Sequence, residues 1–413
     1  MKYDVSIIGA GPGGSTVAKF LSEKGLNVLL VDKSKFPRDK PCGGGLPAKF
    51  LERFEYIKDN DLIEAFSYGG YIYSSSLKYE IEVKKDKPLI AMVLRKKFDY
   101  GLVKLAIDGG AKFIEGKKVI DVKILDNKAE VIFDDGSKVE SDVVVGADGV
   151  WSTVAKKTGL IQNNKNVSLS LNSEIPLNIE TMDKYFTKKR YGHMHLKLLG
   201  LPGYGWVFPK KEHVNIGVGE INLGIEKTKN KLNLKEMFTK YICLLKDNKL
   251  IPNNLEIGKI NGSAIPNCPI ERTYADRVVL VGDAAGLANP LTGEGIDYAM
   301  YSGMIAAEII SEGLEKGDVS SNFLSKYESE WKRNFGKDLK LFFKSAKRWG
   351  EGNENFIKHA SRDEILSEMI LNIASGNLSI YKCKWKLVRR YLYCVIKDFF
   401  LTENNKKMLK YSL

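Results

Sequence analysis

Tyr3-Asp4-Val5-Ser6-Ile7-Ile8 leads into Gly9-Ala10-Gly11-Pro12-Gly13-Gly14, and Val28-Leu29-Leu30-Val31-Asp32 follows after a helix-like stretch. The order is strand, glycine turn, helix, then a second strand that ends in an acid. A dinucleotide needs that order. Gly9 permits the tight turn, Gly11 lets a pyrophosphate reach the backbone, and Gly14 lets the helix pack close to the strand. The helix N-terminus offers free N–H groups and a partial positive charge to phosphates. Asp32 stands about twenty residues on, where a carboxylate accepts ribose hydroxyls. The same carboxylate repels a 2′-phosphate, which disfavours NADP at this turn.

The chain has 413 residues, enough for two or three domains with a sizeable core. No apolar run is long enough to span a bilayer, and the N-terminus lacks the charged start and apolar core of a signal segment. The expectation is a cytoplasmic protein. Five cysteines with no Cys-x-x-Cys pair suggest neither a disulfide framework nor a zinc site, and no metal is expected. His193 and His195 alternate, which reads as an exposed strand pair. Net charge is +13, from 64 basic and 51 acidic residues. It suits an anionic membrane surface first and nucleic acid last, because no nucleic-acid module is present.

Residues 33–46 form a glycine- and proline-rich loop too long for a simple connector. Residues 50–66 read as helical, 68–83 as strands, and the segment from Arg95 to Ala106 has helical spacing. Residues 112–146 read as β, with a hairpin at Asp134-Asp135-Gly136. Residues 166–265 look like a separate sheet inserted into the nucleotide domain. Val278 to Val281 is a buried strand, a long helix begins near Gly295, and from Ser325 the chain reads as helical.

Two further motifs narrow the cofactor. Val281-Gly282-Asp283-Ala284-Ala285 ends a strand and meets Asn289-Pro290-Leu291-Thr292-Gly293-Glu294-Gly295-Ile296. Asp283 can accept a ribityl hydroxyl there, and the glycines let backbone N–H groups approach a flavin. Val145-Gly146-Ala147-Asp148-Gly149 is a second strand end with a tight turn. Together the three elements resemble the FAD-dependent group that contains para-hydroxybenzoate hydroxylase. The resemblance covers at least residues 1–330 and implies FAD. Its fold is α/β: a Rossmann-like FAD-binding domain, an inserted antiparallel-sheet substrate domain and a helical C-terminal region. The expected bounds are 1–50, 96–165 and 266–335 for the first, 51–95 and 166–265 for the second, and 336–413 for the third. No second Gly-x-Gly-x-x-Gly occurs, so the electron donor must dock transiently: NADPH, NADH or reduced ferredoxin.

Pro41-Cys42-Gly43-Gly44-Gly45 and Tyr204-Gly205-Trp206-Val207-Phe208-Pro209 discriminate within the group, the latter followed by Asn215-Ile216-Gly217-Val218-Gly219. Both resemble the geranylgeranyl reductase family, which saturates isoprenoid chains of archaeal phospholipids and of chlorophylls. The resemblance implies an isoprenoid lipid substrate held by Tyr204, Trp206, Phe208, Gly217 and Gly219. A polyprenyl tail has no polar handle, so an apolar, aromatic groove must recognise it. The three aromatics alternate and would share one strand face; the plainer reading is a strand packing its aromatics into the core. By the same resemblance Gly9, Gly11, Gly13, Gly14 and Asp32 hold the ADP half of FAD. Cys42, Gly43 and Gly45 lie by the isoalloxazine, Arg95 reaches the cofactor, and Val119 offers its backbone to the adenine. Asp283, Gly293, Gly295 and Ile296 hold the ribityl chain and ring edge. Cys42 is also the candidate proton donor, by placement alone.

Three rival readings stand beside this one. A halogenase or monooxygenase of the same fold would carry Trp-x-Trp-x-Ile-Pro where this chain has Tyr204-Gly-Trp206-Val-Phe208-Pro209. A prenyl-quinone reductase would differ only in substrate. A prenyl-binding escort protein would lack a full FAD site. The segment from Tyr381 to Phe400 mixes basic and aromatic residues and reads either as a peripheral contact with the cytoplasmic membrane face or as a helix packed on the body.

Overall fold

The computed structural model describes residues 2–161, 167–200, 202–221, 233–348 and 353–411. The strand Lys2–Ile8 lies at the centre of an eight-stranded sheet, parallel to Val28–Asp32 on one side and to Lys138–Gly146 on the other. Lys112–Glu115 and Val278–Leu280 extend the parallel sheet, and the hairpin Val119–Ile124 and Ala129–Phe133 pairs antiparallel with the first residues of Lys138–Gly146. Every residue of Val28–Asp32 is buried. Both faces of a parallel sheet are covered, so its strands read as continuous apolar runs. The helix Pro12–Glu23 has Pro12 in its first turn and no side-chain cap. It packs on the helix Ile296–Glu315, where Gly13 and Gly303 meet without side chains between them.

A seven-stranded sheet runs in the order Asn261–Pro266, Val167–Pro176, His213–Glu220, Gly203–Pro209, Gly192–Leu196, Gly69–Tyr73, Glu80–Lys84. Helices Ile179–Phe186 and Leu234–Asp247 cover one face over a core that includes Val207, Val214 and Ile216. On the other face Ile72, Met194 and Tyr204 meet the helices Asn353–Ala360, Glu364–Ala374 and Ile380–Tyr411. A three-stranded sheet pairs Ile90–Met92 with Gly45–Pro47 on one side and Ala65–Ser67 on the other. The segments 69–84 and 167–266 thus share one sheet. The expected boundary at 165/166 lies outside the described residues.

Two expectations are corrected. Residues 50–66 are not one helix. They break into the turn Ala48–Glu52, the short helix Tyr56–Asp59 and the strand Ala65–Ser67. Asp61 takes φ 52°, a left-handed conformation that ends the helix, and pairing with Ile90–Met92 then selects strand. His193 and His195 are not exposed: they are 6% and 1% accessible. Their face of the sheet is the one covered by Leu234–Asp247, and Tyr241 of that helix lies 2.9 Å from His195 Nδ1.

Candidate active site

The glycine turn is built by close backbone contact. Gly9 takes φ 104°, and a side chain there would strike the Ala147 carbonyl at 2.3 Å. A methyl group on Gly14 would lie 1.9 Å from the Gly9 carbonyl oxygen. The second motif therefore backs the first: Ala147 braces the turn, while Asp148 accepts from Ser152 Oγ at 2.5 Å and Thr153 N at 2.6 Å to cap the helix Thr153–Lys157. Asp32 accepts from Ala10 N and from Ser34 N, both at 2.8 Å, which fixes its carboxylate across the turn.

From that turn a cavity of about 540 Å³ runs to the aromatic strand of the second sheet. Gly9, Gly11, Gly13, Asp32 and Val119 line one end, with Lys117 and Lys118 beside them. Cys42, Gly43, Gly45 and Arg95 line the middle, opposite Asp283, Gly293, Gly295 and Ile296. Tyr204, Trp206, Phe208 and Gly219 line the far end. Two expected residues are not on the wall. Gly14 lies under the turn. Gly217 is paired with Trp206 on the neighbouring strand, where a side chain would meet the indole at 2.1 Å. Its lack of a side chain seats Trp206. Gly217→Ala is expected to displace the indole and to destabilise the chain by about 1–3 kcal/mol as an overpacked core does. Urea denaturation with tryptophan fluorescence reads both; an unchanged midpoint and spectrum would mean that the indole has slack.

The aromatic row and the Cys42 loop are one packed unit. Ring centroids are 5.6 Å apart for Tyr204 and Trp206, and 6.2 Å for Trp206 and Phe208. A side chain on Gly43 would lie 2.7 Å from the Phe208 ring, so only glycine lets the loop rest there. The polar atoms of the row are already taken. The Tyr204 hydroxyl donates to the Thr292 carbonyl, and Trp206 Nε1 donates to Asn215 Oδ1 at 2.8 Å. Asn215 in turn donates to Glu174, which pairs with the fully buried Lys210. What the row turns to the cavity is therefore apolar ring.

Charge in the middle of the cavity is organised by a residue that the motifs did not single out. Asp99 is fully buried. It accepts from Arg95 Nε at 2.7 Å and Nη2 at 2.8 Å, and Arg38 Nη1 lies 3.0 Å away. Burial disfavours the Arg95 charge, but Asp99 and then Cys42 outweigh it and hold the pKa above the ordinary range. The available signal was the i, i+4 spacing of Arg95 and Asp99 on one helix. Lys40, also on the wall, has its pKa lowered by burial, against which Asp283 works. Burial raises Asp283, while Lys40 and Arg95 oppose the shift. Burial also raises Glu294 well above the usual carboxylate range, and the Asp297 charge adds to it. Cys42 Sγ accepts from Gly44 N at 3.4 Å.

These residues fit FAD: an uncapped helix start beside Gly11, a fixed acid for a ribose, and Asp283 among glycines. Residues 2–339 match the family model described as FAD binding domain. A digeranylgeranylglycerophospholipid reductase of Methanothrix thermoacetophila is 32% identical over 90% of this chain and 94% of its own. The chain belongs to that family. A second such reductase, from Methanopyrus kandleri, is 29% identical over 94% of this chain and 97% of its own. Among solved structures, a geranylgeranyl bacteriochlorophyll reductase-like protein of Thermoplasma acidophilum shares the fold at TM-score 0.77 and 24% identity, covering 95% of this chain and 99% of its own. The family's fold is the para-hydroxybenzoate hydroxylase type expected from the three motifs.

Proposed function

We propose that the chain is an FAD-dependent reductase that saturates geranylgeranyl double bonds, those of archaeal-type digeranylgeranylglycerol phospholipids in membrane lipid synthesis. One observation carries the reading: a single cavity joins the nucleotide turn to an aromatic wall whose polar atoms are already spent. Such a wall suits a hydrocarbon chain and offers nothing to a polar one. Gly9, Gly11, Gly13 and Asp32 would hold the ADP half of FAD, with Val119 at the adenine. Asp283, Gly293, Gly295 and Ile296 would hold the ribityl chain and ring edge, with Cys42, Gly43, Gly45 and Arg95 across from them.

FAD held there would supply, when reduced, a hydride for one alkene carbon, and the chain must bring a proton to the other. The alkene is unactivated, so the chain's share is positioning in a dry site. Tyr204, Trp206 and Phe208 would align the isoprenoid. Cys42 is the proposed proton source, on the cavity wall beside the row. NADPH, NADH or reduced ferredoxin would dock transiently to deliver electrons. A lipid substrate also requires the protein to meet a membrane face, from the cytoplasmic side.

The test is anaerobic. Holoprotein reduced with dithionite and given digeranylgeranylglyceryl phospholipid is expected to reoxidise as the lipid gains two hydrogens per step, read by absorbance and mass spectrometry. Flavin that stays reduced until oxygen enters would move the reading to monooxygenase chemistry or another prenyl acceptor. Cys42→Ser is expected to slow the lipid-dependent step about 100-fold or more, the scale of a lost general acid. Full turnover would remove the thiol from the chemistry.

A further inference from the structure

We propose that the outer face of residues 381–400, in the C-terminal helix Ile380–Tyr411, docks on an anionic lipid bilayer. The helix is already anchored on its inner face. Cys383 and Cys394 are buried, Leu387 packs against the neighbouring helices, and Arg390 bonds Asp363 at 2.9 and 2.6 Å. Yet the opposite face is apolar too. Trp385 is 69% exposed, Phe399 63%, Phe400 61%, Ile396 55% and Leu392 52%. From Trp385 to Phe400 the stripe is about 22 Å long at the helical rise. The body has no use for it, since the helix cannot turn both faces inward. A contiguous exposed apolar stripe of this kind marks an interaction surface.

Charge decides what covers it. Lys382, Lys386, Arg389 and Lys397 are exposed along the same side. The only acid between residues 380 and 400 is Asp398, which is buried and bonded to His359 at 2.6 Å and Arg362 at 3.2 Å. A second copy of the chain would bring lysine against lysine across the two-fold, with no acid to answer. An anionic bilayer answers the cations and takes up the aromatic and aliphatic side chains together. The placement is apt. Leu371 and Ala374 of the adjoining helix line the cavity, so docking sets one wall of the site near lipid. The proposal rests on the lipid-substrate reading for its purpose, but its test needs no turnover.

Full-length holoprotein is sedimented with vesicles of phosphatidylcholine alone or mixed with phosphatidylglycerol, and its oligomeric state is measured by light scattering. Binding to the mixed vesicles, with a blue shift of tryptophan emission, is expected. Trp385→Asp/Ile396→Asp/Phe399→Asp is expected to lose binding at least about tenfold while keeping flavin absorbance and melting temperature, because it trades exposed apolar area for charge. Lys382→Gln/Lys386→Gln/Arg389→Gln is expected to lose roughly fivefold per charge at low salt, and less as salt rises. Wild type that ignores both vesicles overturns the proposal. So does a dimer that the Asp variant splits, which would make a second copy the occupant. Intact vesicle binding without lipid reduction would refute the reductase reading and leave the docking face standing.

Discussion

Asp99→Asn is expected to lower the stability of the chain by about 3–5 kcal/mol, the cost of breaking a buried ion cluster from one side. The carboxylate has no solvent exposure and holds two guanidinium groups, Arg95 through two bonds and Arg38 through one contact. Asparagine keeps the shape but removes the charge. Arg95 lies on the cavity wall with a nearly buried side chain and cannot shed its proton, so it remains a buried cation without its bonded anion. Flavin is expected to leave on dialysis as well, because Arg38 lies beside the Gly11 turn. Urea denaturation and bound-flavin absorbance read the two effects separately. An unchanged midpoint would mean that both arginines find other acceptors. Loss of flavin with full stability would confine Asp99 to the cofactor site.

Acid is the second large lever, and it acts through the other sheet. Burial lowers His193 from 6.5 to about 4, and burial with the neighbouring His193 charge lowers His195 to about 3. Tyr73 and His193 stack with centroids 5.9 Å apart, Tyr73 and His195 at 4.4 Å, and Tyr241 closes the row. The folded state keeps both rings neutral. The unfolded chain takes up protons below about pH 6.5, so stability rises with pH through this window. The contribution is complete above pH 7 and falls as pH drops from 6.5 towards 4. At pH 5 the two rings together cost about 4 kcal/mol relative to pH 8. Urea midpoints by circular dichroism at both pH values measure the loss. A His193→Asn/His195→Gln variant is expected to flatten the slope by that amount. Equal slopes in variant and wild type would assign acid lability to groups elsewhere.

Much of the architecture could be read in the chain before folding. Gly9 to Gly14 with Asp32 are local in sequence, and their chemistry follows from backbone geometry alone. The hairpin at Asp134-Asp135-Gly136 and the helix at Arg95 are equally local. The stretch 50–66 was not legible, because pairing with Ile90–Met92 overrides its helical pattern. By its motif Gly217 belongs with the substrate wall. Its actual neighbour, Trp206, lies across a strand pair whose register no local pattern states.

The cofactor fold, the family and the identity of the aromatic row are written in short runs whose residue types answer a local requirement. Packing between distant elements sets which face each side chain takes. It buried His193 and His195, gave Asp99 two arginines from different segments, and turned the second apolar stripe of the last helix to solvent. The physical reason is the same in each case. Burial and ion pairing depend on elements far apart in the chain, and periodicity along one element does not say what packs against it.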